Sequence, residues 1–541
     1  MIGILLNPNT HVQRPPQTIT HNWTISTGFR SPDGVKKQVY LVNNQFPGPL
    51  IECRSGDRLV VHVTNSLASG DGVSLHWHGL AMRNANNMDG AVGITQCPIP
   101  ANATFTYKFD VGDDPGTFWW HGHSQMQRGD GLYGGLIVHK ASTTAREYDD
   151  EILLLIGDWY HKSSNDVLNW YQSAWSFGNE PVPDSLLVNG AGKFICSMAV
   201  PANPLQCVDN PEKQYLGIFG KVNVRTRTRL RVVNVGSLAG FTLQISSTTL
   251  TPFTVDGGFQ IDGYAADTVG ILYPGERADL LLDWNDSPEQ SQLHIYLDTE
   301  NFKFPNPSLR RNQTFPIISS TPSSSTQIPP IRKTHFNLAN ARSLEPATNL
   351  PAKSDQTILV YAKSQKLAID DNIPTGYINR TTWKPQFPAL INLPRAQWNN
   401  FQQVPFIPLS LNNNNNSRPM WIDLVINNLD DGAHPFHLHG HAFHVLASAR
   451  AAHGWGSYSP FADDSKNRPV LELHNPVVKD TVSVPRRGFV VVRFKADNPG
   501  LWMLHCHMLF HQGSGMAMAL HVGDGEMHED IDVLNSDFCN K

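Results

Sequence analysis

The chain has 541 residues, of which 40% are apolar and 16% charged, with a formal net charge of −5. That length allows three or four domains with cores of their own. No basic stretch could track phosphates, which excludes a nucleic-acid partner. No apolar run reaches the roughly 18 residues that a membrane span needs.

Short β-branched segments recur along the chain, bounded by Gly, Pro, Asn and Asp. Arg58–Val63, Leu230–Val235 and Phe489–Phe494 are examples. They predict strands, and long patterns of helical period are scarce, so the expected class is all-β sandwiches or barrels. Met1–Leu6 is apolar but too short for the core of a signal peptide and has no cleavage pattern after it, which points to a start near a processed or engineered end. Six Asn-x-Ser/Thr sequons, at Asn22, Asn102, Asn285, Asn312, Asn379 and Asn415, favour a secreted, extracellular glycoprotein. Residues 316–335 contain the Ser/Thr/Pro-rich stretch Ile317–Pro330 and read as a linker. The asparagine run Asn412–Asn416 reads as a surface loop.

An internal repeat orders the rest. Pro115-Gly116-Thr117-Phe118-Trp119-Trp120-His121-Gly122-His123 matches Pro499-Gly500-Leu501-Trp502-Met503-Leu504-His505-Cys506-His507 position for position. His76-Trp77-His78-Gly79 matches His437-Leu438-His439-Gly440. Each half has an early His-x-His and a later one after a Pro-Gly turn. The first and last domains therefore read as copies of one β unit, at 1–145 and 336–541. The segment 146–315 has no His-x-His and reads as a middle domain that holds the other two apart and carries no metal.

In a strand, residues i and i+2 share a face about 7 Å apart. Four His-x-His pairs thus offer eight imidazoles, four from each outer domain, to a site with room for several metals. A lone pair of this kind is usually structural; four in a repeated frame are not chance. Neutral imidazoles suit copper, zinc, iron or nickel. Cys506 narrows the choice. It alternates with His505 and His507, so its sulfur faces the other way and needs a metal of its own. His511 lies five residues after it and Met516 ten, while His434 lies three before His437; one thiolate, two imidazoles and a weak thioether make a blue-copper set. Gly122 stands where Cys506 does in the other copy. Because Cys506 is bonded to His505 and His507, an electron at its metal has a short route to the imidazole cluster. A pure electron carrier would need the Cys506 site alone, and the eight further imidazoles argue against that reading.

His76-Trp77-His78-Gly79, Trp120-His121-Gly122-His123-Ser124, His434-Pro435-Phe436-His437-Leu438-His439-Gly440-His441 and His505-Cys506-His507 with His511 closely resemble the four copper motifs of the three-domain multicopper oxidases. That family includes laccases, fungal ferroxidases, ascorbate oxidase and bilirubin oxidase. The flanking Met88-Asp89-Gly90, Gln96-Cys97-Pro98-Ile99 and Gly131-Leu132-Tyr133-Gly134 agree. The resemblance implies three cupredoxin-like Greek-key domains, four coppers per chain and dioxygen as the electron acceptor. It implies His434, Cys506 and His511 as type 1 ligands with Met516 axial. It implies His76 and His437 at type 2, and His78, His121, His123, His439, His505 and His507 at the type 3 pair. A thioether at the axial position implies a low to moderate potential. His441 and His444 fall outside the ligand positions.

Setting Cys506 aside leaves five cysteines, so at least one is unpaired. The resemblance implies Cys97–Cys539; Cys196 with Cys207, or either with Cys53, stays open. It also assigns the donor side. Asp184 matches a laccase phenol-binding carboxylate, and Glu180 and Asp430 match ferroxidase acids. The preferred reading is a laccase-like monomer that oxidises phenols and aromatic amines, among them a pigment or secondary-metabolite precursor; a ferroxidase is the alternative. Asp89 matches a proton-relay position. Many relatives carry an acid where this chain has Leu509, which puts a second proton route in doubt.

Overall fold

The alternation in Arg58–Asn65 buries Leu59, Val61, Val63 and Asn65 and leaves the residues between them partly open, as a strand with one solvated face requires. Gly488–Ala496 is buried at every position but Lys495 and lies in a sheet interior. The computed structural model, built on such strands, describes residues 3–142, 148–200, 204–208, 227–246, 248–283, 291–317, 334–399, 401–411, 417–451, 453–454, 456–462, 468–523 and 538–539. The sequons Asn285 and Asn415, the run Asn412–Asn416 and most of the linker (318–333) lie outside these residues.

Six main sheets form three two-sheet units. In the first, Lys37–Val42, Thr18–Arg30, Arg58–Asn65 and Thr104–Asp110 pair in that order, and Ile51–Arg54, Tyr133–His139, Gly116–Gly122 and Leu75–His78 make the opposing sheet. The middle unit sets a sheet around Asp150–Trp159, Arg227–Asn234 and Arg277–Asp283 against one around Phe241–Ile245 and Gln292–Leu297. The third has a six-stranded sheet, with Met420–Asn428 and Gly488–Ala496 at its centre. Its five-stranded partner includes Ala517–Val522, Gly500–Cys506, His434–Leu438 and Thr481–Val484. Two segments cross the divisions read from sequence. Ile4–Leu5 pairs with Asp150–Trp159, and His335–Asn337 pairs with Thr268–Leu272, so both extend middle-unit sheets. Each adds an edge strand whose backbone groups would otherwise lack partners. Two α-helices occur among the described residues, Ser164–Tyr171, capped by Ser163, and Leu509–Gly513. No helix of the described residues is long and apolar enough to cross a membrane. Disulfides join Cys97 to Cys539 and Cys196 to Cys207, and leave Cys53 and Cys506 as buried thiols.

The three units meet at one buried ion cluster. Arg277, from the middle unit, donates through Nη1 and Nη2 to both oxygens of Asp480 in the third unit, at 2.6 and 2.5 Å. Its Nε donates to the carbonyl of Thr117 in the first, at 3.0 Å. Asp256 accepts the backbone N–H groups of Asp480 and Thr481 at 3.0 and 3.1 Å. Gly79 lies against this cluster with φ +92°, and a Cβ there would run into Arg277 Nη2. Removing one partner of a fully buried pair strands the other charge, at a cost of about 3–5 kcal/mol. Arg277→Ala is therefore expected to lower the thermal midpoint sharply and to loosen copper retention together. An unchanged midpoint in calorimetry would contradict the clamp.

Candidate metal centre

Both halves of the centre are built on the same strand pair. In the first unit His76 lies opposite His121 and Leu75 opposite Gly122; in the third His437 lies opposite His505 and Phe436 opposite Cys506. The shared register turns each His-x-His to one side, toward the other unit. The structure brings the ring nitrogens together in groups that mix the two units: His76, His78 and His437; His78, His121 and His507; His123, His439 and His505. Within each group the ligand atoms lie within 4.8 Å of one another.

Burial dominates the electrostatics here. It lowers His78, His121, His123, His505 and His507 well below the usual imidazole range, helped by neighbouring positive charge. Burial and then the charge of His76 lower His439 to about 3. These rings stay neutral, the form that ligates metal. His78 Nδ1, His121 Nε2 and both ring nitrogens of His507 are buried without a hydrogen bond. Such orphans are costly in a protein interior, and a set of convergent neutral imidazoles fits copper.

Two carboxylates hold the rings from behind. Asp89 Oδ2 accepts His439 Nδ1–H at 2.8 Å, and its backbone carbonyl accepts His76 Nδ1–H at 2.9 Å. The Asp480 carbonyl accepts His437 Nδ1–H at 2.9 Å, and its Oδ1 stands 3.4 Å from both His437 and His78. Each acid thus reaches one imidazole from its own unit and one from the other. Burial opposes their ionisation, yet contact with His439 and His76 holds Asp89, and the Arg277 guanidinium holds Asp480, well below the usual carboxylate range. Outer partners of this kind fix ring orientation and tautomer. Asp480, Thr481 and Arg277 carry no sequence signal: none lies in a His motif, and only the folded chain puts them beside one.

Cys506 faces away from this cluster, as alternation requires. Its Sγ lies 3.5 Å from His434 Nδ1 and 3.6 Å from His511 Nδ1. The outer nitrogens are spoken for: His434 Nε2–H donates to Asp430 Oδ2 at 3.0 Å, and His511 Nε2–H donates to Glu180 Oε1 at 2.8 Å. That leaves both Nδ1 atoms for a metal beside the sulfur. Burial opposes thiolate formation, but the close contact of His434 and His511 brings the Cys506 thiol down to about 7. Met516 is fully buried, and its carbonyl accepts the Cys506 N–H at 3.1 Å. Leu509 packs in an apolar cluster with Met126, Tyr160, Val167, Tyr171 and Phe510, so the position of the absent acid is filled by hydrocarbon.

Glu180, the partner of His511 Nε2, lines a cavity of about 380 Å³ whose walls are mainly Tyr160, Val167, Trp170, Val182 and Phe304, with Lys162 and Asp184 also on it. Asp184 stands back from the imidazole. Its Oδ2 accepts the His161 backbone N–H at 2.8 Å, and its Oδ1 accepts Asn306 Nδ2–H at 3.2 Å. His441 bonds the His439 carbonyl and joins no metal-sized group.

Three family models described as multicopper oxidase match residues 24–143, 150–306 and 381–526. Laccase-1 of Cryptococcus neoformans var. grubii is 30% identical over 538 residues, covering 92% of this chain and 79% of that protein. The iron transport multicopper oxidase FET3 of Gibberella zeae is 31% identical over 492 residues, covering 90% and 73%. The crystal structure of Fet3p, a multicopper oxidase that functions in iron import, superposes with a TM-score of 0.81 at 26% identity, over 97% of this chain and 94% of that one. The duplicated imidazole half-sites, the thiol facing away from them and these likenesses have one account: the chain belongs to the multicopper oxidase family, with cupredoxin-type domains and sites for four coppers.

Proposed function

We propose that this oxidase is laccase-like and takes electrons from phenols and aromatic amines. His434, Cys506 and His511, with Met516, would hold the type 1 copper; His76 and His437 would hold type 2; and His78, His121, His123, His439, His505 and His507 would hold the type 3 pair. Bound copper would accept single electrons at the Cys506 site and deliver four to dioxygen, giving water. The observation that carries the donor reading is the cavity beside His511. Its aromatic and aliphatic walls suit a planar ring, and Asp184 can take the phenolic proton. Glu180 joins the pocket wall to His511 Nε2. Asp89, between two cluster rings, serves dioxygen reduction as a proton relay. The exposed sequons Asn22, Asn102 and Asn312 and the two disulfides favour a secreted, glycosylated monomer. The Asn379 amide is engaged with Leu359 and Gln403 and suits glycan attachment less well. We place the domain limits near 145 and 315, close to the ends of the matched segments.

A ferroxidase reading has one observation in its favour. Glu180 and Asp430 sit on the outer nitrogens of both type 1 imidazoles, where two carboxylates could hold a small cation.

Three outcomes test these roles. Asp184→Asn should lower kcat/KM for 2,6-dimethoxyphenol by about 10²-fold; unchanged phenol kinetics would remove Asp184 from the reaction. Glu180→Ala with Asp430→Ala should raise the KM for ferrous ion selectively if iron is a substrate, and a wild-type protein that oxidises no iron ends that alternative. Asp89→Asn should slow reoxidation of the reduced enzyme by dioxygen by about 10²-fold in stopped flow, and a wild-type rate would deny it the relay.

A further inference from the structure

Behind the donor pocket stands a row of side chains that neither copper site uses. Asp184 lines the cavity with its side chain 31% exposed, the His161 ring is 3% exposed, and Asp33 of the first unit is fully buried. His161 Nε2–H donates to Asp33 Oδ2 at 2.8 Å. A carboxylate only accepts, so Nε2 carries the proton of the neutral ring and the lone pair lies on Nδ1. Nδ1 is 3.9 Å from Asp184 Oδ2. Phe194 packs edge-on against the ring at 4.6 Å, and Asp33 also accepts the Val35 N–H at 3.1 Å. An imidazole oriented by a buried acid, with its basic nitrogen toward the reacting group, is the arrangement of a general base.

We propose that Asp184, His161 and Asp33 form a proton relay that draws the phenolic proton out of the pocket. The proposal rests on the reading of Asp184 as the phenol's proton acceptor. The phenol O–H bond breaks: its proton goes to Asp184, and one electron leaves toward the Cys506 site, where the oxidase reaction consumes it. Asp184 then swings within hydrogen-bond distance and passes the proton to His161 Nδ1. The resulting imidazolium lies between two carboxylates. Asp184 is an anion again while the phenoxyl radical still occupies the pocket, so back-transfer of the proton is suppressed and the radical departs. With the pocket empty, the proton returns through Asp184 to solvent. His161 and Asp33 are positioning and relay groups; neither touches the substrate.

The test compares a donor that loses a proton, 2,6-dimethoxyphenol, with ferrocyanide, which loses only an electron. In the copper-loaded enzyme, His161→Gln should lower kcat for the phenol by about tenfold with KM unchanged. Ferrocyanide turnover and the visible absorption of the Cys506 site should keep their wild-type values. Asp33→Asn, which leaves the imidazole in place, should shift the phenol kcat in the same direction and serves if the first variant folds poorly. Equal losses on both donors would assign the Asp33–His161 pair to structure alone and overturn the relay. Loss in Asp184→Asn without loss in either relay variant would also overturn it and leave the donor reading standing. No loss in Asp184→Asn would overturn both.

Discussion

A metal cluster whose ligands come from two domains demands that those domains hold still relative to each other. Here the demand is met by charge in a place where charge is expensive. Arg277, Asp480 and Asp256 are almost wholly withdrawn from water, and their mutual attraction has to offset the loss of hydration. Buried ion pairs are seldom the cheapest way to gain stability, but their geometry is directional and a guanidinium fork fits a carboxylate in one way. The middle unit, which contributes no imidazole to the cluster, supplies that fork. Its part is to set the distance between the outer two.

The same residues link docking to ligand orientation. Asp480 accepts the Arg277 fork on one side and faces His437 and His78 on the other, so the contact that joins the domains also aims two rings. Asp89 repeats this from the first unit with His76 and His439. Fixed anions and neutral imidazoles meet at the cluster: rings kept uncharged by burial, acids kept charged by their neighbours. The positive charge of several coppers would find both conditions ready.

Much of this was legible in the chain. The four His-x-His motifs, the Cys between two histidines and the glycine in its place in the first copy were enough to separate a thiolate site from an imidazole cluster, because strand alternation is a local rule. The strand register then placed His76 against His121 and His437 against His505. What sequence could not supply was long-range. Asp480 and Arg277 are 203 residues apart, and nothing local distinguishes either from a surface charge. Glu180 and Asp430 were singled out only through likeness to relatives; Glu180 reaches His511 because a middle-unit loop meets the third unit, whereas Asp430 reaches His434 within one unit, four residues away. The pairing of His335–Asn337 with Thr268–Leu272 was not legible, because a three-residue strand carries too little pattern to reveal its partner.

Gly122 closes the account of the repeat. In the third unit the residue opposite Phe436 is a cysteine that reaches out of the cluster; in the first, the residue opposite Leu75 has no side chain, and a Cβ there would meet Leu132 Cδ2 at 2.8 Å. The space that holds a thiolate in one copy is filled by leucine in the other. The duplicated architecture is therefore wired with a single terminal. On the proposed ligand assignment, reducing equivalents enter by the Cys506 face, and the matching face of the first unit offers no thiolate to receive them.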